Sequence, residues 1–507
     1  MRTSTINHNI HIAKRMRASW LLLMVFATSG CMVGPDYTRP HIALPEHYVG
    51  TAALAGSPPQ TRLDDWWKSF HDPVLNSIVD QAMKQDLDIR SAEARVAQAR
   101  AVAHEAGSDL YPQGSLDGDV ARERQSLLSP EGRVASQFPG YVRDQTLQQL
   151  DVGASWETDL AGGLHRRARA YRDEAQAAEA ARMGVRISVV AEAADAYFRI
   201  REAQASVSLM DAQIDADRRL LQLTGARIAA GVATDRDEDD ARAVLEADKA
   251  EMAGLQDQWR QQSYRLDVLM GDAPGTDRLD LHASTDATWT VPGIPADIRP
   301  AGLMRRRPDV IAAERQLAAR TENIGVALSQ YYPSLSLGGL LGFERLGTGS
   351  LFESAAFQPA LLAGIHWRLF DFGKVDAEVT AARGGRAEAL SNYRQTVLHA
   401  SEDVEDALST LARVDAQGRR RQQVVDADAR SRASIERSFQ AGASSMMEVL
   451  QQERTLLVAK RVRAVLRTDR ARATIGVFRA LGGGWSPKGQ PSSAKRHGTS
   501  ASLATAT

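Results

Sequence analysis

Residues 164–230 read LHRRARAYRDEAQAAEAARMGVRISVVAEAADAYFRIREAQASVSLMDAQIDADRRLLQLTGARIAA, and residues 374–441 read KVDAEVTAARGGRAEALSNYRQTVLHASEDVEDALSTLARVDAQGRRRQQVVDADARSRASIERSFQA. Neither stretch contains a proline, and at 1.5 Å per residue about 67 helical residues make a rod of roughly 100 Å. Apolar positions recur as Ile187, Val190, Ala194 and Tyr197, and again as Val404, Leu408 and Leu411. That stripe belongs to a helix packed in a bundle or coiled coil. Each rod stops at a glycine, Gly231 or Gly442, where φ is expected to turn positive, and is followed by N-cap candidates Thr234, Ser444 and Ser445. The spacing predicts two long antiparallel helical hairpins.

The two hairpins are part of a larger duplication. Asp88, Glu93, Ala97, Tyr111 and Pro112 match Asp309, Glu314, Ala318, Tyr332 and Pro333 at one constant separation. Trp156, Gly162, Gly231 and Gly271 match Trp367, Gly373, Gly442 and Gly482 at a second separation, shorter by about ten residues, so the length difference falls in one loop. Each copy reads helix, two strands, very long helix, helix. The domain plan is a leader at 1–30, an extended segment at 31–62, a first repeat at 63–271, a connecting segment at 272–300, a second repeat at 301–485 and a disordered tail at 486–507.

Between the helices the hydrophobic period changes to two. Leu116, Gly118 and Val120 alternate with Asp117, Asp119 and Ala121; Leu150, Val152, Ala154 and Trp156 alternate with Asp151, Gly153, Ser155 and Glu157. The second copy repeats this from Leu335 to Phe343 and from Leu361 to Leu369. Such alternation, apolar outward and polar inward, is the weak signature of an outer-membrane barrel strand; a half-buried soluble sheet fits any one strand equally well, and the length of the rods favours the barrel. Pro112 and Pro333 mark the helix-to-strand joints. Four strands cannot close a barrel, and an open edge in lipid leaves backbone groups unpaired. Two copies would supply eight strands and a filled interior, three would supply twelve and an open lumen.

Composition limits the alternatives. Lys and Arg total 62 against 63 Asp and Glu, a formal net charge of −1, so no overall field recruits nucleic acid. Arg305-Arg306-Arg307 reads as a basic loop before a helix that starts at Pro308. The single cysteine, Cys31, excludes an intrachain disulfide and follows a charged stretch (Lys14, Arg15, Arg17), a short apolar run from Trp20 to Phe26 and small residues. The apolar run is too short to span a membrane. Residues 28–31 resemble a bacterial lipobox, with Thr28 where Leu is usual, and Met16 would open a more typical leader; Cys31 is the expected lipid anchor.

Taken in order, the motifs match a known family. Cys31-Met32-Val33-Gly34-Pro35-Asp36-Tyr37, with Pro40, resembles the start of mature NodT-type outer-membrane lipoproteins, the TolC-like or OprM-like outer-membrane efflux factors. Arg306-Arg307-Pro308-Asp309-Val310, Ala313-Glu314 and Tyr332-Pro333-Ser334-Leu335 are similar to that family's most specific line. Trp156-Glu157-Thr158-Asp159-Leu160-Ala161-Gly162 is similar to its first-repeat motif, with Ala161 where Phe is common. The resemblance implies a mainly α protein with a membrane β-barrel portion: a homotrimer with a twelve-stranded barrel in outer-membrane lipid and an α-barrel tunnel in the periplasm. It implies passive export of drugs or other small molecules, handed over by a periplasmic adaptor and an inner-membrane pump, a proton-driven one being the expected kind.

The same resemblance nominates site residues. Glu448 and Gln451 fall where the family narrows to a periplasmic aperture, and Asp237 and Asp240 crowd the matching helix start. Three carboxylates meeting on one axis repel one another and attract cations; an exposed acid near a helix N-terminus is the plainer reading of each. Arg227, Gly231, Thr234, Arg437, Gly442 and Ser445 form the expected adaptor-contacting tip. No zinc-helix spacing and no Gly-x-Ser-x-Gly elbow occur in the sequence, and Gly338-Gly339-Leu340-Leu341-Gly342 lies inside a strand pattern, so no catalytic residue, metal or cofactor is expected. A lipid-anchored periplasmic coiled-coil scaffold or adaptor protein without channel activity is the competing reading; it would share the rods but would not need the strands.

Overall fold

The structure is a computed structural model that describes residues 32–50, 61–276, 289–295 and 299–486. The leader, Cys31, much of the 272–300 segment and the tail from 487 lie outside the described residues. In chain order the elements are helices α1 (Pro73–Gln85) and α2 (Leu87–Ser108), strand β1 (Gln113–Arg124), short helix α3 (Pro130–Ala135), strand β2 (Asp144–Thr158), and helices α4 (Gly163–Ala229) and α5 (Asp235–Leu269). They continue with α6 (Pro300–Arg306), α7 (Pro308–Ser329), β3 (Ser334–Leu346), β4 (Phe357–His366), α8 (Lys374–Gln440) and α9 (Met446–Ala480). Helices α4 and α8 are each 67 residues long, and α5 and α9 each 35.

Three local expectations are corrected. The pattern from Asp72-Pro73 to Asp109, which the sequence presents as one helical stretch, is two helices, because Asp86 leaves helical geometry and its carboxylate accepts the Ile89 N–H at 3.0 Å, capping α2 as Asp72 caps α1. Arg305 and Arg306 end a short helix rather than forming a loop. The fourth strand stops at His366, so Trp367 and Leu369 lie beyond it.

The chain divides into two units. The first (Met1–Pro40, Ala97–Ala177, Glu314–Asn392) holds a four-stranded antiparallel sheet in the order β1-β2-β3-β4. Pro112 and Pro333 immediately precede β1 and β3, where a fixed φ and a missing N–H suit a strand start. The Trp156 indole donates to the Leu110 carbonyl and the Trp367 indole to the Tyr331 carbonyl, both at 3.0 Å, so the two helix-to-strand joints are tied in the same way.

In this unit the N-terminal segment is clasped by Arg166, a residue only 1% exposed. Its guanidinium donates to the carbonyls of Val33 (3.2 Å), Gly34 (3.1 Å) and Pro35 (3.2 Å) and pairs with Glu322 at 2.8 Å. Tyr37 and Arg39 both reach the buried Glu314, whose carboxyl is held below its ordinary value by Arg39 and Arg315 against the opposing effect of burial.

The second unit (His41–Val96, Ala178–Ala313, Tyr393–Thr507) has an aromatic core. Trp66 stacks on Phe478 at 5.4 Å, and Phe198 meets Trp289 edge-on at 5.0 Å with the Arg467 guanidinium 4.1 Å above the indole. Tyr197, fully buried, donates to Asp72 at 2.5 Å. Ile187, Val190, Ala194 and Tyr197 on α4, and Val404, Leu408 and Leu411 on α8, are all buried. No helix among the described residues is long and apolar enough to cross a membrane.

Candidate functional site

Two places in the molecule collect functional side chains: the sheet and the helical turns. In the sheet, cross-strand register puts Leu116, Val120, Leu150, Val152, Trp156, Leu335, Leu337, Leu341, Leu361 and Ile365 on one face. That face is open: Leu361 is 91%, Val120 75% and Ile365 75% exposed. An apolar patch of this size needs a cover of lipid or protein. The opposite face carries Asp117, Asp119, Glu123, Asp151, Glu157 and Glu344 with serines and glutamines between them. Neither β1 nor β4 has a second strand neighbour among the described residues.

The turns are built alike. Gly231 has φ 72° and Gly442 φ 75°. Val232 N–H donates to the Arg227 carbonyl and Gly231 N–H to Ile228; Ala443 N–H donates to Ser438 and Gly442 N–H to Phe439. This is the Schellman closure, and its left-handed residue is why glycine stands at both places. Arg227 adds a hydrogen bond to the Val232 carbonyl (3.3 Å) and touches the Met447 sulfur (3.2 Å). Arg437 is exposed, and its carbonyl accepts the Ala441 N–H.

The return helices start with reciprocal caps. The Glu448 carboxylate accepts the Ser445 N–H at 2.8 Å while the Ser445 hydroxyl accepts the Glu448 N–H at 3.3 Å. Asp237 accepts from both the Thr234 N–H (2.7 Å) and its hydroxyl (2.8 Å), bonds that hold its carboxyl below the ordinary value. Glu448, Gln451, Asp237 and Asp240 are all exposed. Helix capping therefore accounts for two of the four acid-aperture candidates without any partner.

A groove of about 760 Å³ brings Arg227, Asp237, Asp240 and Gln451 together with Met447; Glu448, Gly231, Thr234, Arg437, Gly442 and Ser445 do not line it. Its floor holds a group that sequence reading missed. Asp217 on α4 is 2% exposed, and its carboxylate meets Arg454 of α9 at 3.1 Å, while Arg454 also lies 3.6 Å from Asp248 of α5. Burial, and then the neighbouring Asp248, push the Asp217 carboxyl up to about 7, with Arg454 opposing. The missed signal was phase: Asp217 follows Met210 and Ile214, and Asp248 follows Leu245, on stripes that are otherwise core.

Comparison with known proteins agrees with this architecture. The profile of a family described as outer membrane efflux protein matches residues 78–272 and 302–483. The pyoverdine export outer membrane protein OpmQ of Pseudomonas putida is 30% identical over 439 residues, covering 86% of this chain and 90% of its own. Nodulation protein T of Rhizobium leguminosarum bv. trifolii is 27% identical over 469 residues, covering 90% and 96%. Among solved structures, the outer-membrane channel OprN superposes with a TM-score of 0.77 at 30% identity, over 90% of this chain and 100% of that one.

Proposed function

The chain belongs to the outer membrane efflux protein family and is an outer-membrane protein, and on that premise we propose that it is the passive duct of a tripartite export system for small toxic molecules. One observation carries the reading: a four-stranded sheet with one open apolar face, one acidic face and two edges that have no partner strand among the described residues. In lipid each unpaired edge group costs several kcal/mol, so the edges must be closed by further copies, and three copies give twelve strands around an open lumen. The matched helix lengths in the two halves support two structural repeats, whose hairpins would form a periplasmic α-barrel when three copies assemble. The duct is supplied by a periplasmic adaptor and a proton-driven inner-membrane pump, which choose the cargo, and Cys31 carries the lipid anchor.

The turns are the adaptor-facing end in this reading. Replacing Gly442 by Leu puts a β-carbon on a residue at φ 75°, where nothing lies within 4 Å to clash but the backbone itself is strained. The strain, about 1 kcal/mol or more, reshapes the turn rather than unfolding the 67-residue helix before it. The expected result is loss of site-specific crosslinking to the adaptor and sensitivity of the cell to exported compounds, with the protein still present in the membrane. Intact crosslinking and resistance would remove the tip assignment.

At the aperture, Glu448→Ala is expected to raise single-channel conductance and weaken block by divalent cations in planar bilayers, because it deletes one carboxylate per copy from the axis. Unchanged values would leave Glu448 as a helix cap alone. The proposal as a whole is tested by the mass of the detergent-purified particle, which must be three chains, and by ion conduction across a lipid film.

A further inference from the structure

The apolar face of the sheet is bounded at both ends by aromatic rings. Trp156 and Trp367 stand at the helix end of the sheet. At the loop end Phe343 has the rings of Phe352 and Phe357 at 5.3 and 5.6 Å. Aromatic girdles flank the lipid-facing band of outer-membrane barrels, which is about 25 Å tall. Tilted by about 40°, the stretch from Leu335 to Phe343 rises about 21 Å, so the band ends at the phenylalanines. At and just beyond their level, on the same face, come Arg122, Arg124 and Arg345.

The duplication fixes the height of these arginines. Arg345 follows Arg124 at the separation that relates Pro333 to Pro112, and the strand pairs agree, since Ser115 opposite Gly153 is matched by Ser336 opposite Gly364. Arg124 and Arg345 therefore stand at one level in the two repeats. Carrying the register of β2 on β3 to the two open edges sets Arg122 opposite Leu361 and Arg124 opposite Pro359 of a second copy, so the neighbour brings no carboxylate to either. Within one copy Arg122 faces Thr146, Arg124 lies 3.7 Å from Asp144 and Arg345 lies 2.8 Å from Glu353. Both acids are exposed, and exposed pairs are weak enough for a stronger anion to displace them.

An arginine on a lipid-facing strand is costly at the middle of a bilayer and nearly free at its surface, where the stem lies along the apolar band and the guanidinium reaches the headgroups. The guanidinium fork matches phosphate bidentately. The outer leaflet of an outer membrane is built of glycolipid that carries phosphate monoesters. We propose that Arg122, Arg124 and Arg345 form a rim that binds the phosphates of this outer-leaflet glycolipid and seats the sheet at a fixed depth. The proposal rests on the reading of the strands as part of a closed barrel with this face in lipid. Three copies then present a ring in which Arg124 and Arg345 alternate.

The experiment is native mass spectrometry of the full-length protein purified in a mild detergent. It is titrated with diphosphorylated lipid A, with the same lipid after removal of its phosphates, and with phosphatidylglycerol. The wild type is expected to retain diphosphorylated lipid A at about tenfold lower concentration than either of the others. In Arg122→Gln/Arg124→Gln that preference should fall to about twofold or less, whereas Arg133→Gln, an exposed change in the loop between β1 and β2, should leave it in place. Should the double variant fail to assemble, Arg122→Gln decides with a drop of about threefold, because Arg122 faces only Thr146 and loses no ion pair. Equal retention of the three lipids, retention of phosphatidylglycerol as tight as that of lipid A, or a preference unmoved by these changes would overturn the proposal. The same spectra give the particle mass: three chains without the preference remove the rim alone, and any other number of chains removes the barrel reading and the rim with it.

Discussion

Arg166→Ala is expected to cost about 3–5 kcal/mol and to leave little folded protein in the membrane. The side chain is 1% exposed and pairs with Glu322, itself 5% exposed, so truncation strands a carboxylate in the interior and also removes the donors from three consecutive carbonyls. The Asp36 carboxylate at 3.0 Å is 76% exposed and adds little to this sum. Arg166→Met/Glu322→Leu separates the two parts: it removes both charges, so it should recover the ion-pair share of the loss but not the carbonyl share. The readout is the temperature at which helical circular dichroism is lost in detergent, with the yield of membrane-inserted protein beside it. A single variant as stable as wild type would mean that the Arg166 clasp contributes nothing to the fold and that Tyr37 and Arg39 on Glu314 suffice to hold the segment.

How much of this was legible in the sequence depended on periodicity. The rods, the turns at Gly231 and Gly442 and the two-faced strands all follow from short-range spacing, and the buried stripe from Ile187 to Tyr197 lies where the apolar phase puts it. The break at Asp86 was not legible, because Asp86 sits between two good helical patterns and acts through a cap three residues on. Arg166 was hidden for a different reason. It stands in a run of arginines beside Arg167 and Arg169, and only tertiary structure shows which one turns inward toward a segment more than 130 residues away. For the turn residues the sequence supplied the positions but not the alternatives: Glu448 and Asp237 satisfy helix N-termini within one chain, a use that any helical protein could make of them.

Arg454→Met is expected to separate the two sides of neutrality. In the unfolded chain Asp217 titrates near ~4, whereas in the folded protein burial and Asp248 raise it to about 7. Between those values the folded state holds a proton that the unfolded state has released, so the stability contributed by protonated Asp217 is complete below about 4 and is lost as pH rises through about 7. Arg454 limits that loss, since its guanidinium lies 3.1 Å from Asp217 and 3.6 Å from Asp248 and is the cation between three helices. Without it Asp217 keeps its proton to still higher pH and becomes a buried charge only in base. The variant should therefore melt close to wild type at about pH 5.5 and lose on the order of 3 kcal/mol at about pH 8.5. Adding Asp217→Asn, which has the shape of the protonated acid, should restore most of that loss at the higher pH and change little at the lower. Equal losses at both pH values would show that Arg454 acts by packing its stem along Leu220 and Val458 in the groove wall rather than by its charge.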